Sequence, residues 1–568
     1  MPKERLARPV QEMIHALWFL RITALLPGQA MPEIQQSLCP FAEKERGKPF
    51  LAIDKRVHMG IIQSHRRERK ESPFMAKQKL TGDKAWYQPL FHPRSVALVG
   101  ASRDPKKWGF NLLFNIVKGD YPGRIYPINP KEPEILGFKA YPSIAQVPEP
   151  VDQAILVVPS SDMPKVIQEC GRNGTQVGVV ITAGFGEVDR MGKKVEGEMV
   201  ALALSLGLRL VGPNCQGIVS TWDASFYAHM PPQFPPPGPL GVVSQSGNLA
   251  TSLIEAGRQL GVGFSRIISS GNEADLQTPD FLEFLAEDSK TEVILSYLEG
   301  VKDGRKFLQI ARKVSARKPF LMVKAGQTGA GVKAAFSHTG ALAGSPGLFS
   351  GLCRQMGIIE AETIEEMVDM AGAFATQPLP SGRRVGVVTL GGGWGVLAAD
   401  FCSQAGLIVE TLTPRMTKEL DGVLPPWWNR MNPVDMVAGY RKGDLLTSIE
   451  LFLNSKRFDG VLLLGLGWRA VRGGFLKSSA VSDDDGMDAA GQDWIDEEEK
   501  IFADLQELGR RYKKPILLAS DVIQYTPGFE EAVRRRRVAA YPSLPRAVRA
   551  YLGLVERYEF LKRIQRKG

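Results

Sequence analysis

Short apolar runs that end in turns alternate with helical patterns along most of the chain. The first five runs lie between residues 95 and 217 and read SVALVGAS, RIYPINPK, QAILVVPSS, VGVVITAGFGE and LRLVGPNCQG. Helical patterns separate them, at residues 109–118, 161–173 and 194–206 among others. Runs rich in β-branched residues that alternate with helices at this spacing predict a parallel sheet with right-handed crossovers.

The same pattern begins twice more. After Thr221–Gly238, which we interpret as a proline-rich connector, a strand at Leu240–Val243 leads into the turn SQSGN and a helix starting near Asn248. A third unit starts after Pro378–Gly382 with RRVGVVTLGGGWG, and FDGVLLLGLGW and KPILLASDV supply later strands. The acidic, Gly- and Ser-rich segment 472–493 predicts a mobile surface loop.

Residues 1–74 differ from the rest of the chain. They lack sustained periodicity, end in the charged run SHRRERKES, and carry 13 Lys or Arg against 8 Asp or Glu. Their apolar piece is interrupted by Arg21 and has no small-residue cleavage pattern after it, which argues against a secretory signal. Met75 opens a more ordinary beginning. Our hypothesis is that translation starts there and that residues 1–74 are an unstructured or untranslated extension.

Composition narrows the class of protein. A chain of 568 residues, 44% hydrophobic and 23% charged, suits a soluble protein of three or four domains. Half of the net charge of +10 comes from residues 1–74, so the remainder gives no reason to expect nucleic-acid binding. The longest apolar runs fall short of a membrane span. Five scattered cysteines without a CxxC pair are typical of reduced thiols in a cytoplasmic protein.

Ligands of such sheets bind beyond the carboxyl ends of the strands, so the loops at these ends define the candidate site. In the first unit the loops are Gly100–Lys107, Asn129–Lys131, Pro159–Ser161, Thr182–Glu187 and Gly212–Gly217. The first loop is not G-x-G-x-x-G, which argues against NAD(P). A nucleotide-containing ligand without that fingerprint stays open.

The turn before the first helix of the second unit admits three interpretations. Ser246 and Gly247 stand at a helix start, where unpaired N–H groups and the positive end of the helix dipole favour phosphate. A hydrolase nucleophile at Ser246 would require G-x-S-x-G, and Ser244 occupies the first glycine position. A tight strand–helix turn that binds nothing fits as well.

The segment Lys333–Gly344, KAAFSHTGALAG, surrounds His338 with small and hydroxyl-bearing residues. Such a loop leaves an imidazole accessible as a nucleophile or base, although a surface histidine without function fits the local sequence equally. His92 and His229 sit beside prolines, as loop histidines do. Glu299 follows the apolar strand Val293–Leu298 and is placed to orient an imidazole from a neighbouring loop.

Six motifs in fixed order carry a resemblance: VALVGAS, GPNCQG, GVVSQSGNLA, LEGVKDG, SHTGALAG and NPVD. They resemble the NDP-forming acyl-CoA synthetases, and the segment from Phe91 to Leu552 looks like the α-subunit of ADP-forming acetate–CoA ligase, a relative of the succinyl-CoA synthetase α-subunit. The resemblance implies an α/β protein. Its parts would be a Rossmann-like CoA-binding domain at 85–222 and two flavodoxin-like parallel-sheet ligase domains at 238–377 and 382–556.

The resemblance also implies a reaction. Acyl-CoA, ADP and phosphate would be interconverted with acid, CoA and ATP through an acyl phosphate and a phosphohistidine. His338 matches the phosphohistidine and Glu299 the residue that orients it, while Ser246, Gly247 and Asn248 match the phosphate-binding helix start. The residues matching the CoA site are Gly100, Ala101, Ser102, Asn129, Pro130, Lys131, Pro159, Ser160, Thr182, Ala183, Gly184 and Asn214.

The chain departs from the family pattern in two ways. Many relatives have Asn-Ala-Gly-Gly-Pro-Gly where this chain has Leu390–Gly395, and Trp394 would narrow or line a pocket, which leaves the acid open. No segment after Leu552 could form an ATP-grasp domain. We therefore expect Mg²⁺ and ADP or ATP mainly on a separate β-subunit with that domain, within a hetero-oligomer that takes a small carboxylic acid or its acyl-CoA.

Two other functions remain compatible with the motifs. One is a non-catalytic regulatory protein of the same fold that binds CoA or acyl-CoA. The other is a different CoA ligase or lyase of the same superfamily, which the order of the units disfavours. Because a sensor would not need a histidine paired with a carboxylate, the presence of both His338 and Glu299 favours catalysis.

Overall fold

The computed structural model describes residues 86–222, 224–332, 346–437, 441–478, 486–522, 531, 533, 535, 536 and 538–566. Within these ranges three sheets follow one another along the chain, each packed against helices. The expectation about Met75 concerns residues outside the described ranges. The segment 333–345, which contains His338, also lies outside them.

The first unit is a five-stranded parallel sheet with its helices. It contains α1 (Tyr87–Phe91), β1 (Ser95–Val99), α2 (Trp108–Lys118), β2 (Arg124–Ile128), β3 (Glu134–Ile135), β4 (Phe138–Lys139), β5 (Gln153–Leu156), α3 (Met163–Asn173), β6 (Val177–Val180), α4 (Arg190–Ser205) and β7 (Arg209–Val211). The strand order is β2–β1–β5–β6–β7, and β3 and β4 form a separate hairpin. The central strands are buried along their whole length, which explains their continuous apolar runs.

The second unit is a seven-stranded sheet. It contains β8 (Gly217–Ser220), β9 (Phe226–His229), β10 (Pro237–Ser244), α5 (Gly247–Gln259), β11 (Phe264–Ser269), α6 (Thr278–Glu287), β12 (Val293–Leu298), α7 (Gly304–Arg317), β13 (Phe320–Lys324), α8 (Pro346–Met356), β14 (Ile358–Ala361) and α9 (Ile364–Thr376). The order is β14–β13–β12–β10–β11–β8–β9, and β8 runs antiparallel to both of its neighbours, β11 and β9.

The boundary between these two units differs from our expectation. β8 lies inside the range 85–222 that we assigned to the first unit, yet Ile267 of β11 pairs with Val219 of β8. β9 lies within the predicted connector Thr221–Gly238 and is buried along its length. Both strands are too short, and too close to prolines, to give a recognisable pattern. The connector is therefore partly a sheet edge.

Backbone and side-chain contacts join the first two units. Arg209 on β7 forms a paired hydrogen bond to Asp275, with its Nη2 2.8 Å from Oδ1. The Leu210 amide donates to the same carboxylate at 2.8 Å. Phe91 of α1 stacks on Phe284 of α6, with ring centroids 4.2 Å apart. The two sheets consequently share a hydrophobic core.

The third unit is a sheet of six strands. It contains β15 (Arg384–Thr389), α10 (Gly392–Gln404), β16 (Ile408–Val409), α11 (Pro414–Asp421), β17 (Val434–Asp435), α12 (Lys442–Asn454), β18 (Gly460–Leu464), α13 (Trp468–Ser478), α14 (Met487–Tyr512), β19 (Ile516–Ala519), β20 (Ala540–Tyr541) and α15 (Leu544–Gln565). The order is β16–β15–β18–β19–β20, with β17 pairing to the far end of β15.

The prediction of a mobile loop at 472–493 is wrong for the residues of this segment that the structure describes. Residues 472–478 belong to α13 and residues 487–493 to α14. Two glycines that we took as loop residues lie where these helices meet. A Cβ on Gly473 would stand 2.4 Å from the carbonyl oxygen of Gly491, and one on Gly491 would stand 2.6 Å from that of Gly473.

The three sheets share one strand order. When the five strands of each sheet's main parallel path are numbered along the chain, leaving out β8, β9 and β17, all three read second, first, third, fourth, fifth. In this order the second strand lies on one side of the first strand, and the third strand lies on the other side. The connections therefore diverge, and a crevice opens beyond the carboxyl ends of the first and third strands. The strands concerned are β1 with β5, β10 with β12, and β15 with β18. The predicted α/β class with parallel sheets is confirmed.

Two expectations from composition can be compared with the described ranges. None of the helices there combines enough length with enough apolar character to cross a bilayer. The four cysteines there are buried and form no disulfide, as expected of small core residues. Burial raises the pKa of the Cys170 and Cys215 thiols to about 12. Cys39 lies outside these ranges.

His229 is a buried strand residue rather than the loop histidine that we expected. It ends β9, and its Nε2 lies 2.7 Å from the carbonyl oxygen of Gln233. Burial lowers the pKa of His229 to about 4, against a partial opposing effect of that hydrogen bond. The folded protein therefore keeps this imidazole neutral down to a pH at which the unfolded chain is already protonated.

This difference predicts a contribution to acid sensitivity. Because the pKa is lower in the folded state, stability is complete above pH 6.5 and is lost progressively as the pH falls towards 4, by at most about 3 kcal/mol. His229→Gln should flatten the fall in melting temperature between pH 7 and pH 4.5. Thermal unfolding of both proteins across this range measures it, and parallel curves would contradict it.

The contact between α13 and α14 predicts opposite effects for neighbouring glycines. Gly473→Ala should lower the free energy of unfolding by about 1–3 kcal/mol, because its methyl group meets backbone across the interface. Gly474 has no atom within 4 Å of its Cβ position, so Gly474→Ala should raise stability by about 0.5–1 kcal/mol. Urea unfolding of the two variants gives the comparison, and equal signs would refute the contact.

Candidate active site

The crevice of the second sheet brings two predicted elements together. Ser244, the last residue of β10, pairs with Tyr297 of β12, so the loops after both strands leave the sheet side by side. The loop after β10 is the turn that starts α5, and the loop after β12 begins with Glu299. The amide of Gln245 joins them. Its Oε1 accepts from the Glu299 amide at 2.6 Å, and its Nε2 donates to the Gly300 carbonyl at 2.9 Å.

Glu299 is largely buried, with 8% of its surface exposed. Its carbonyl oxygen accepts a hydrogen bond from Nζ of Lys324 at 2.8 Å, so the end of β13 supports it. Burial raises the pKa of Tyr297 to about 12, and the neighbouring Glu299 carboxylate adds to the shift by its charge and a hydrogen bond. Burial also lowers the pKa of Lys324.

The start of α5 has the geometry of an anion site. Ser246 caps the helix by accepting from the Leu249 amide at 3.5 Å, and the first intrahelical bond runs from Ala250 to Ser246 at 3.1 Å. The amides of Gly247 and Asn248 therefore precede the hydrogen-bonded ladder and carry the positive end of the helix dipole. This arrangement can hold a phosphate without a cationic side chain.

Gln216, which follows the first unit, packs against this helix start. A Cβ on Gly247 would lie 2.3 Å from its Cγ, so only glycine fits there. The Nε2 of Gln216 donates to Oδ1 of Asn248 at 2.8 Å, and its Oε1 accepts from Thr251 at 3.2 Å. The N-terminal end of α5 is thereby fixed to the backbone between the two sheets.

A cavity of about 70 Å³ lies between the first two units. It is lined by residues of both, including Glu187, Asn214, Gln245, Asn272, Glu299 and Lys302. Two residues predicted for different roles, Asn214 and Glu299, therefore border one space. A ligand bound along the first sheet can approach the carboxylate of the second unit here.

Asn272 hydrogen-bonds to charged groups on both sides of the cavity. Asn272 donates to the carboxylates of Glu187 and Glu196. Burial alone would raise the pKa of Glu187, but the hydrogen bonds from Asn272 and from backbone amides, that of Gly184 among them, outweigh it and lower the pKa. On the opposite wall, Nζ of Lys302 donates to the Asn272 carbonyl at 3.0 Å. Burial lowers the pKa of Lys302.

The residues predicted to contact CoA form a row along the carboxyl edge of the first sheet. Nδ2 of Asn129, after β2, donates to the Ala101 carbonyl at 2.7 Å. The Thr182 hydroxyl, after β6, donates to the Val158 carbonyl at 2.6 Å, and the Asn214 amide donates to the Thr182 carbonyl at 3.0 Å. The other predicted residues, Gly100, Ser102, Pro130, Lys131, Pro159, Ser160, Ala183 and Gly184, lie on the same loops.

The loop after β1 approaches its neighbour closely. Gly100 has φ +95°, and a Cβ there would stand 2.2 Å from the Val157 carbonyl oxygen, so a side chain is excluded on both counts. Gly109 of α2 approaches the Gly100 carbonyl in turn, at 2.0 Å from its Cβ position. These contacts keep the floor of the crevice between β1 and β5 free of side chains, so backbone amides can face a ligand there.

The third unit provides the expected surroundings for Trp394. Its ring lies over Gly465, whose Cβ position is 2.3 Å from the ring, and it lines a cavity of about 170 Å³ with Ser520 and Ser543.

The asparagine of the NPVD motif stabilises the third sheet. Nδ2 of Asn432 donates to the carbonyls of Val385 at 3.0 Å and Glu410 at 2.9 Å, which ties the edge of the sheet together.

Comparison with known proteins agrees with this architecture. Three family models match consecutive segments: a CoA binding domain at residues 94–221, a succinyl-CoA ligase like flavodoxin domain at 237–374, and a Ligase-CoA domain at 385–477. Subunit alpha of the ADP-forming acetate–CoA ligase II of Pyrococcus furiosus is 42% identical over 373 residues, which are 65% of this chain and 80% of that protein. The chain belongs to the ADP-forming acetate–CoA ligase family.

A solved member of the family has the same fold. The dinucleotide forming acetyl-coenzyme A synthetase 1 of Ca. Korarchaeum cryptofilum, in complex with phosphate and ADP, aligns with a TM-score of 0.73 and 33% identity. The alignment covers 84% of this chain and 98% of that one. The ADP-forming acetate–CoA ligase of Methanocaldococcus jannaschii is 40% identical over 61% of this chain, which spans only 49% of that relative.

Several residues that line or support the site were missed from the sequence. Gln245 and Lys302 lie inside the motifs GVVSQSGNLA and LEGVKDG, and Lys324 is the last residue of β13. Gln245 directly follows β10, Lys324 ends β13, and Lys302 lies in the loop after β12; a position at the carboxyl end of a strand was the available signal. Asn272 and Glu187 carry no local pattern, because their role depends on how two units meet.

Proposed function

We propose that this chain is the CoA-binding and phosphoryl-carrying subunit of an ADP-forming acid–CoA ligase. It would interconvert acyl-CoA, ADP and phosphate with acid, CoA and ATP. The observation that carries the proposal is the crevice of the second sheet. There Gln245, which directly precedes the start of α5, is hydrogen-bonded to the Glu299 amide, and both residues line a cavity that the first unit shares.

In the first step, phosphate held by the amides at Ser246, Gly247 and Asn248 attacks the thioester carbonyl of acyl-CoA. The bond between sulfur and the acyl carbon breaks, and the thiolate leaves as CoA with a proton. An acyl phosphate remains. The twelve predicted residues along the first sheet would hold CoA, and backbone amides around Gly100 suit its phosphate groups.

In the second step, an imidazole nitrogen of His338 attacks the phosphorus of the acyl phosphate, and the carboxylate leaves as the free acid. Glu299 would accept a hydrogen bond from the other nitrogen, which fixes the tautomer and stabilises the charged phosphohistidine. The position of the His338 segment along the chain supports a pairing of His338 with Glu299. The segment with His338 follows β13, whose last residue Lys324 already contacts Glu299, and it rejoins the sheet through α8.

The last step transfers the phosphoryl group from His338 to ADP, which gives ATP and regenerates the imidazole. We assign ADP or ATP and Mg²⁺ mainly to a partner β-subunit with an ATP-grasp domain. The name of the Pyrococcus relative, subunit alpha, supports a partner, as does the extra length of the Methanocaldococcus relative. The described ranges contain no cluster of His, Cys, Asp or Glu suited to a metal ion.

The described cysteines are buried and form no disulfide, which suits a protein of the cytoplasm.

Labelling tests the phosphoryl carrier. The purified chain incubated with acetyl-CoA and ³²P-phosphate should acquire acid-labile, base-stable label that peptide mass spectrometry maps to His338. His338→Asn should abolish the label while CoA affinity, measured by calorimetry, stays unchanged. Glu299→Gln should slow labelling by about 100-fold, because the imidazole loses its orienting carboxylate.

The control for this experiment is His229→Gln, which changes a buried histidine that does not line the cavity and should label like wild type. Label on another residue, or full labelling of His338→Asn, would overturn the proposed carrier. If neither acetyl-CoA with phosphate nor ATP with Mg²⁺ and a partner subunit labels the chain, the catalytic function fails as a whole.

The CoA site has a separate test. Gly100→Ala forces a methyl group against the Val157 carbonyl at a positive φ, so the loop after β1 must move and CoA affinity should fall by at least about tenfold. Gly137→Ala is the matched control, since Gly137 also has φ +80° but no atom near its Cβ position. Calorimetric titration with CoA compares them, and equal affinities would place CoA elsewhere.

A further inference from the structure

We infer that Gln245 is a positioning residue that sets where Glu299 stands relative to the start of α5. The inference rests on the proposed function, because it concerns the same site. It assigns no contact with substrate to Gln245. The residue acts through Glu299, by fixing the backbone from which that carboxylate projects.

The Gln245 amide makes three hydrogen bonds to the loop after β12. A primary amide offers two acceptor positions on oxygen and two N–H donors. Oε1 accepts from the amides of Glu299 at 2.6 Å and Gly300 at 3.1 Å, which fills both acceptor positions. Nε2 donates to the Gly300 carbonyl at 2.9 Å. The Gln245 amide also partly offsets the raised pKa of the Glu273 carboxyl group. These bonds fix both the rotamer of Gln245 and the peptide that it holds.

The chain position of Gln245 makes this contact decisive for geometry. Gln245 directly precedes Ser246, the cap of α5, and its own amide donates to the Tyr297 carbonyl at 3.2 Å. One residue therefore follows β10, begins the anion-binding turn and holds the loop after β12. The separation between the helix amides and the Glu299 carboxylate is thus sensitive to the length of this side chain.

Other side chains cannot reproduce the contact. Asparagine is one methylene shorter, and methionine matches the length but offers no strong donor or acceptor. Glutamate can accept from the two amides, but only its protonated form can donate to Gly300 or Glu273. Ionised, it would place a second carboxylate against Glu273, which is buried among hydrogen bonds from Ser270 and Thr278 and has a raised pKa because of that burial.

The surroundings determine how such a glutamate would titrate. Glu273 faces it from the loop after β11, and Lys302 donates to the Glu273 carbonyl at 2.6 Å from the loop after β12. Tyr297 of β12 and Glu299, directly after that strand, adjoin it, and Lys324 holds the Glu299 carbonyl from β13. From the first unit, Glu187, Glu196 and Lys193 line the same cavity. Burial and four carboxyl groups outweigh three lysines, so the pKa of a glutamate at 245 should lie above its usual range.

The experiment compares Gln245→Glu and Gln245→Met with wild type in the labelling assay, at pH 6 to 8, on the full chain. At pH 8 both variants should label His338 about 100-fold more slowly, with CoA affinity retained. On lowering the pH to 6, the rate of Gln245→Glu relative to wild type should recover by about tenfold as the new carboxyl group protonates. Gln245→Met should show no such recovery.

Gln259→Glu is the matched control, because it makes the same change at the exposed far end of α5 and should label like wild type at every pH. Labelling of Gln245→Glu at the wild-type rate at pH 8 overturns the inference, and so does a defect that stays constant with pH or that comes with loss of CoA binding. If wild type itself does not label, the proposed function fails and the inference falls with it.

Discussion

A parallel sheet can present a ligand site only where its strands end, and the chain can open a crevice only where it reverses its direction of winding. That constraint governs this protein three times over. Each unit winds its strands in the same order, so each has one crevice, and the glycine-rich turns recognised in the sequence stand beside these crevices. In the second unit the crevice holds both a helix start and a buried carboxylate. The site is thus a consequence of topology before it is a consequence of any one side chain.

The parallel strands and the loops that follow them could be predicted from the sequence, because a strand that is buried on both faces gives a continuous apolar run. The run Val293–Leu298 is continuous and apolar because helices cover both of its faces, and Glu299 is conspicuous as the first charge after it. Helix boundaries were less certain. α4 begins at Arg190, four residues before the predicted start, because Asp189 caps it by accepting from the Gly192 amide.

The errors share a cause, which is that local composition reports on solvent exposure and not on packing. The segment 472–493 looked like a loop because it is acidic and rich in small residues. In the structure the small residues allow two helices to approach closely, and Asp488 and Asp493, the acidic residues of this segment that the structure describes, are exposed. β9 was overlooked because four residues cannot show a period. The network from Glu187 through Asn272 to Lys302 could not be predicted, since it exists only where two sheets meet.

The antiparallel pair at the edge of the second sheet has a consequence for anyone who wishes to divide this chain. The proline-rich stretch invites a cut near residue 222, yet β8 lies before that point and its partner β11 lies after it. A fragment ending there would carry an unpaired, apolar strand with its hydrogen-bonding groups exposed, which is the usual template for aggregation. The chain passes from the first sheet to the second around Gly212, between β7 and β8. The boundary that the proline-rich stretch suggests therefore differs from the boundary between the two sheets, and β8 lies between them.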